Sequence, residues 1–189
     1  VIIIVGPRDT DHLAGNSILV NTTSRSQDWG RGLSPFFLGP CELYSGYISK
    51  TVENAWQFAK VYPKYADING DPADTYWKWA AEGWADSWAH RYPAGKGAKP
   101  LYSYWDGRKL SYIEARKEIY IPLYSKAVRE SEAFARLKEC VEVYDNVYLW
   151  DFDGYDYRRD GITLTQVMNN PRRSMGHAFV LAMMLEGLI

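Results

Sequence analysis

Glu53, Gln57 and Lys60 set a carboxylate, a carboxamide and an amine along Thr51-Val52-Glu53-Asn54-Ala55-Trp56-Gln57-Phe58-Ala59-Lys60. Spacings of four and three bring such side chains together on one helix face. Beside them Val52, Ala55, Trp56 and Ala59 follow the i, i+3, i+4, i+7 progression of a buried stripe. Thr51 is the expected N-cap, which places Glu53 in the first turn, where free N–H groups and the helix dipole favour an ionised carboxylate. A partly buried, ionised carboxylate beside an aromatic ring can act as a general base or stabilise a developing cation. The plainer alternative is that Glu53 only satisfies the helix start and Lys60 is solvated.

Four further constellations can bind or react. Arg25-Ser26-Gln27-Asp28-Trp29-Gly30-Arg31 is a polar loop in which Arg25 or Arg31 can hold a phosphate. Gly95-Lys96-Gly97, with Lys99 nearby, allows close approach to a phosphate at Lys96, but the Walker spacing is missing and a flexible surface turn explains it better. Asp151-Phe152-Asp153-Gly154-Tyr155-Asp156 gathers three carboxylates after an apolar strand, where like charges raise at least one pKa and suit Asp151 or Asp156 to a general acid or a hydroxyl-binding group. Its order of residues does not fit an EF-hand. His177 opens an apolar helix and reads as a core or capping histidine. With His12 and His90 it forms no i, i+4 metal pair, so no metal is expected.

The elements that must position these groups form an α+β pattern, mainly α-helical with a few short strands. Val1 to Val5 and Ser17 to Asn21 read as strands. Asp71-Pro72 reads as a helix start, followed by a helix to His90 with Trp77, Ala81, Trp84 and Trp88 on one face, which Pro93 to Pro100 then breaks. Ser111-Tyr112-Ile113-Glu114 is a capping box opening a long helix, which Pro122 must kink before it runs on toward Cys140. Asn170-Pro171 precedes the last helix, with Ser174 as its expected cap. No repeat or linker divides the chain, so residues 1–189 read as a single compact domain.

Composition narrows the function classes. The chain of 189 residues is 47% hydrophobic and carries a net charge of −1. That size buries a substantial core, and the charge does not advertise a duplex nucleic-acid surface. Eight Trp and fifteen Tyr supply many flat faces on which a base can stack. Cys41 and Cys140 stand far apart in no metal or redox spacing, which fits free thiols in a reducing, cytoplasmic setting. The apolar Val1 to Val5 run is too short to span a bilayer, so no membrane partner is expected.

Leu33-Ser34-Pro35-Phe36-Phe37-Leu38-Gly39-Pro40, followed by Thr51-Val52-Glu53-Asn54-Ala55-Trp56-Gln57 and Lys60, resembles the paired signature of the NADAR family, the NAD- and ADP-ribose-associated N-glycosidases. That signature reads Leu-Ser-Asn-Phe-Tyr and then Thr-Val-Glu-His-x-x-Gln-x-x-Lys. Weaker matches keep their order: a Trp-rich helix ending in Arg91, a long helix from Tyr112 to about Leu137, a strand leading through Asp151 to Asp156, and a closing helix from Met175 to Met183. The resemblance covers roughly residues 18 to 187. The chain differs at Pro35 (Asn in the family), Asn54 (His), Tyr157-Arg158 (Trp-Gly) and Ser174-Met175-Gly176-His177 (Asn-x-Leu-Gly), so it is similar to a divergent member.

The resemblance implies a single NADAR-like domain that hydrolyses the C1′–N bond of a ribosylated or ADP-ribosylated base without a cofactor. Glu53 is then the central catalytic carboxylate, with Asp151 and Asp156 as second acids. Arg25, Trp29, Ser34, Phe36, Asn54, Trp56, Gln57, Lys60, Trp79, Lys96 and His177 become substrate-binding candidates, with Trp56 or Trp79 stacking on the base. Two alternatives stay open. One is a nucleotide or ADP-ribose binding module without turnover. The other is a glycosylase for a hypermodified base in DNA or RNA, served by a basic groove of Arg158, Arg159, Arg172 and Arg173.

Overall fold

The structure, a computed structural model, describes residues 1–9 and 13–189; His12 lies outside the described residues. In chain order its elements are β1 (Ile2–Val5), β2 (Ser17–Asn21), β3 (Cys41–Glu42), β4 (Ile48–Ser49), α1 (Val52–Gln57), β5 (Lys60–Val61), α2 (Asp74–Ala85), β6 (Tyr102–Trp105) and β7 (Arg108–Leu110). Then come α3 (Tyr112–Ala115), a π-helical turn (Arg116–Tyr120), α4 (Ile121–Arg129), α5 (Glu132–Val143), β8 (Asn146–Trp150), α6 (Leu164–Met168) and α7 (His177–Leu185). The fold is α+β, as the sequence predicts. The chain divides into two compact units, one made of Val1–Ser34 with Tyr124–Ile189 and the other of Pro35–Leu123.

The first unit is built on a parallel sheet in the order β1-β8-β2, with Ile2 paired to Val147 and Leu19 to Tyr148. Alternating burial along β8 puts Val147 and Leu149 in the core and leaves Tyr148 half-buried. Because all three strands run the same way, their C-terminal ends meet at one edge, where Thr22 and Asp151 follow β2 and β8 directly. Helix α7 is apolar around its whole circumference and buried from His177 to Met183, which is what a core helix requires.

The second unit carries an antiparallel sheet in the order β5-β6-β7. Asp106 and Gly107, both at positive φ, make the two-residue turn between Trp105 and Arg108. Phe58, Val61, Tyr76, Ala80 and Trp84 form one core cluster, with Trp77, Trp79, Tyr65 and Tyr104 packed around it. A second joins Ala59, Leu110, Ala115 and Ile119 to Trp56 and Trp105.

Several boundaries differ from the sequence expectation. Helix α1 ends at Gln57, so Lys60 lies on a strand. Helix α2 starts at Asp74 with Ala73 as cap, because Pro72 is bridged to Ala66 and held out of the helix; its buried face is Tyr76, Ala80, Gly83 and Trp84. Trp88 lies beyond the end of α2 and is 75% exposed. The Ser111–Glu114 capping box forms, but the long helix widens at Arg116–Tyr120, where the Ile121 N–H reaches back five residues to the Arg116 carbonyl. Pro122 has no N–H and its ring would strike the carbonyl four residues earlier, so the wide turn replaces the simple kink. The helix then stops, and α5 restarts with Ser131 as its cap. Gly176, not Ser174, caps α7.

Candidate active site

The two signature segments of the sequence are tied together around α1. Its first three N–H groups have partners: Val52 donates to the Leu38 carbonyl at 2.8 Å, Glu53 to the Pro35 carbonyl at 3.1 Å, and Asn54 to the Thr51 hydroxyl at 3.1 Å. Thr51 is therefore the cap, as the sequence predicts, but the first-turn N–H groups serve the 35–38 loop and are not free to stabilise Glu53. Gly39, at φ 143°, lets that loop pass; a Cβ there would lie 2.2 Å from the Lys50 carbonyl oxygen.

Glu53 is 6% exposed. The Gln57 amide donates to its Oε1 at 3.0 Å, and the Lys60 ammonium donates to the Gln57 carbonyl oxygen at 3.0 Å. This gives a relay of cation, carboxamide and carboxylate, even though Lys60 has left the helix. Burial pushes the Lys60 pKa below the ordinary lysine value, and the negative charge of Glu53 opposes that fall. The Lys60 Nζ also stands 5.0 Å from the centre of the Trp56 ring, whose other neighbour is Tyr120 at 5.2 Å.

Asn54 has a different task. It is fully buried, its Nδ2 donates to the carbonyls of Trp88 at 2.9 Å and Asp86 at 3.3 Å, and its Oδ1 accepts from the His90 N–H at 2.9 Å. Two carbonyls and one N–H fix the orientation of the amide. Asn54 thus clasps the irregular 86–90 segment to the helix that carries Glu53. Trp79 is enclosed by rings, stacked on Tyr65 at 4.6 Å and tilted against Phe58 at 4.6 Å. Phe36 is half-buried, and Lys96 is exposed on a turn between Gly95 and Gly97.

Arg116 escaped the sequence reading. It is 2% exposed, with its guanidinium 4.7 Å from the centre of the Tyr112 ring. Four residues on, Tyr120 meets Trp56 of α1, with ring centres 5.2 Å apart. A 3.6-residue period cannot place residues across a π turn; the only local signal was the nearby Pro122.

The other candidates belong to the first unit. Asp151 is 3% exposed; its Oδ2 accepts from the Ala178 N–H at 3.0 Å and stands 3.3 Å from His177 Nδ1. His177 Nε2 lies 2.8 Å from the Thr22 carbonyl oxygen and 2.9 Å from the Thr22 hydroxyl, which itself donates to the Trp150 carbonyl. These contacts bolt the start of α7 to the ends of β2 and β8. A Cβ on Gly176 would lie 2.2 Å from Asp151 Oδ2, so only glycine permits the approach.

Asp156 accepts from the N–H groups of Arg158 at 3.1 Å and Arg159 at 3.2 Å, shaping a turn. The exposed Arg25 lies over Phe152 at 5.3 Å, half-buried Trp29 meets Arg136 at 5.2 Å, and buried Ser34 closes the 29–33 turn. Of the arginines expected to form a basic groove, Arg158 pairs with Glu186, Arg159 with Asp9 and Arg173 with Asp160. Their charge is largely compensated on the surface of the unit.

These features define an α+β protein with a buried carboxylate relay on a short, loop-anchored helix. Among the described residues, no helix is long and apolar enough to cross a membrane. The chain belongs to the family of unknown function DUF6939, whose model matches residues 8–181. No curated protein and no solved structure matches it.

Proposed function

We propose that the protein is an N-glycosidase that hydrolyses the C1′–N bond of a ribosylated or ADP-ribosylated base, acting in the cytoplasm. The observation that carries this reading is the buried Glu53 carboxylate held by Gln57 and backed by Lys60. As the base departs with the bonding pair, positive charge grows at C1′. A fixed carboxylate in a site of low polarity stabilises that charge and takes a proton from the attacking water. The new C1′–O bond completes the exchange, and the proton removed from water balances the one the base acquires.

Gln57 fixes one carboxylate oxygen, and Lys60 polarises Gln57 from the far side while resting on Trp56. The resemblance of residues 33–60 to the NADAR signature supports the same bond and the same carboxylate. A binding module without turnover is the second reading, favoured by the commitment of Asn54 to the 86–90 segment. Chromatographic detection of free base and ADP-ribose from a panel of N-ribosyl compounds separates the two: release supports hydrolysis, and stoichiometric binding without release supports the module.

A further inference from the structure

A cavity of about 330 Å³ lies in the first unit, away from every residue used above. It runs along one stripe of α5, from Phe134 past Lys138 to Val141, and is also lined by Met184 and Leu185 at the end of α7, by Ile189 and by Arg129 at the end of α4. Its volume is that of a small-ligand pocket. Phe134, Val141, Met184 and Leu185 make the floor apolar.

The charges are unequal. Arg129 and Lys138 both line the cavity, and neither has a carboxylate within ion-pair distance among the described residues. Lys138 instead rests its ammonium 5.4 Å from the centre of the Phe134 ring. The one acid in the lining, Glu142, stands a turn beyond Lys138, so the Phe134 end carries the surplus positive charge. Seven residues of helix from Phe134 to Val141 give the apolar floor a length of about 10 Å.

We propose that this cavity binds an amphipathic carboxylate: a free, unbranched acyl chain of medium length whose carboxylate is held by Arg129 and Lys138. The chain lies along Phe134 and Val141 toward Met184 and Leu185, removing apolar surface from water on both sides. Two cations beside an apolar trough match a headgroup and a tail, and do not match a neutral sugar. This site is independent of the Glu53 relay.

The test is isothermal titration of the full chain with decanoate, beside decanol, butyrate and vesicles of anionic phospholipid. The proposal expects saturable one-to-one binding of decanoate, weakened at least tenfold by Arg129→Glu with Lys138→Glu, and lost in Val141→Trp, which fills the trough. Thermal melting of each variant checks that it is folded. The proposal is overturned by the absence of saturable decanoate binding, by binding unchanged in both folded variants, or by uptake confined to vesicles. Concentration-dependent self-association of the wild type that Val141→Trp abolishes would overturn it too, by assigning the cavity to a second copy of the chain.

Discussion

Gln57 donates its amide N–H to Glu53 Oε1 at 3.0 Å, across one turn of α1. The same carboxamide accepts from Lys60, so its removal breaks two hydrogen bonds at once. Gln57→Leu leaves a buried carboxylate and a largely buried ammonium without these partners. The expected loss of stability is about 1–3 kcal/mol for the two broken hydrogen bonds to charged groups, read by urea denaturation. Turnover in the proposed reaction falls as well, because Glu53 is no longer aimed.

Lys60 gives the relay a pH signature. Its native pKa lies below the ordinary value of 10.5, so between those two values the unfolded chain binds more protons than the native one, and the contribution of Lys60 to stability rises with pH. Turnover moves in the opposite direction. As pH rises through the depressed pKa the relay loses its cation and activity declines. Lys60→Met should remove both effects; a pH–activity profile of that variant with the wild-type alkaline limb intact would refute the role given to Lys60.

Asn54→Asp keeps the size of the side chain but turns a carboxylate toward the carbonyls of Asp86 and Trp88. The 86–90 segment should come loose, with a stability loss of about 2–5 kcal/mol for buried polar groups left mismatched. Faster proteolysis after residues 88–92 and a shift in Trp88 fluorescence are the expected readouts. Unchanged proteolysis would show that the clasp is not what orders the segment.

Cys41 offers an independent check on packing. Burial pushes its thiol from 9.0 up to about 11. Its stabilising contribution is complete below the unfolded value and is lost as pH rises through the native one. Denaturation of the wild type and Cys41→Ala should therefore show a shallower fall in stability between pH 9 and 11 in the variant.

Local signals were legible where they act locally. The Thr51 cap, the Ser111–Glu114 box and β2 followed from residue type and spacing, and so did the meeting of Glu53 with Gln57, four residues apart on a helix. The Asp106-Gly107 turn is a signal of the same local kind. What was not legible depends on partners distant in the chain: the 86–90 segment that occupies Asn54, the Asp151 contact that only Gly176 permits, and the Leu38 and Pro35 carbonyls that occupy the start of α1. Pro72 followed its own turn chemistry and shortened α2. At Pro122 the helix widens into a π turn over the preceding residues, where the sequence signals only a break in the regular ladder.

Glu53→Gln isolates the charge of the carboxylate on which the proposed hydrolysis depends. The substitution keeps the side chain's shape and removes its charge, so binding can be measured apart from chemistry. The variant should fold and still bind the substrate found by the panel, with base release reduced on the order of 10²–10³-fold or more. Release at the wild-type rate from folded Glu53→Gln would contradict the role given to Glu53.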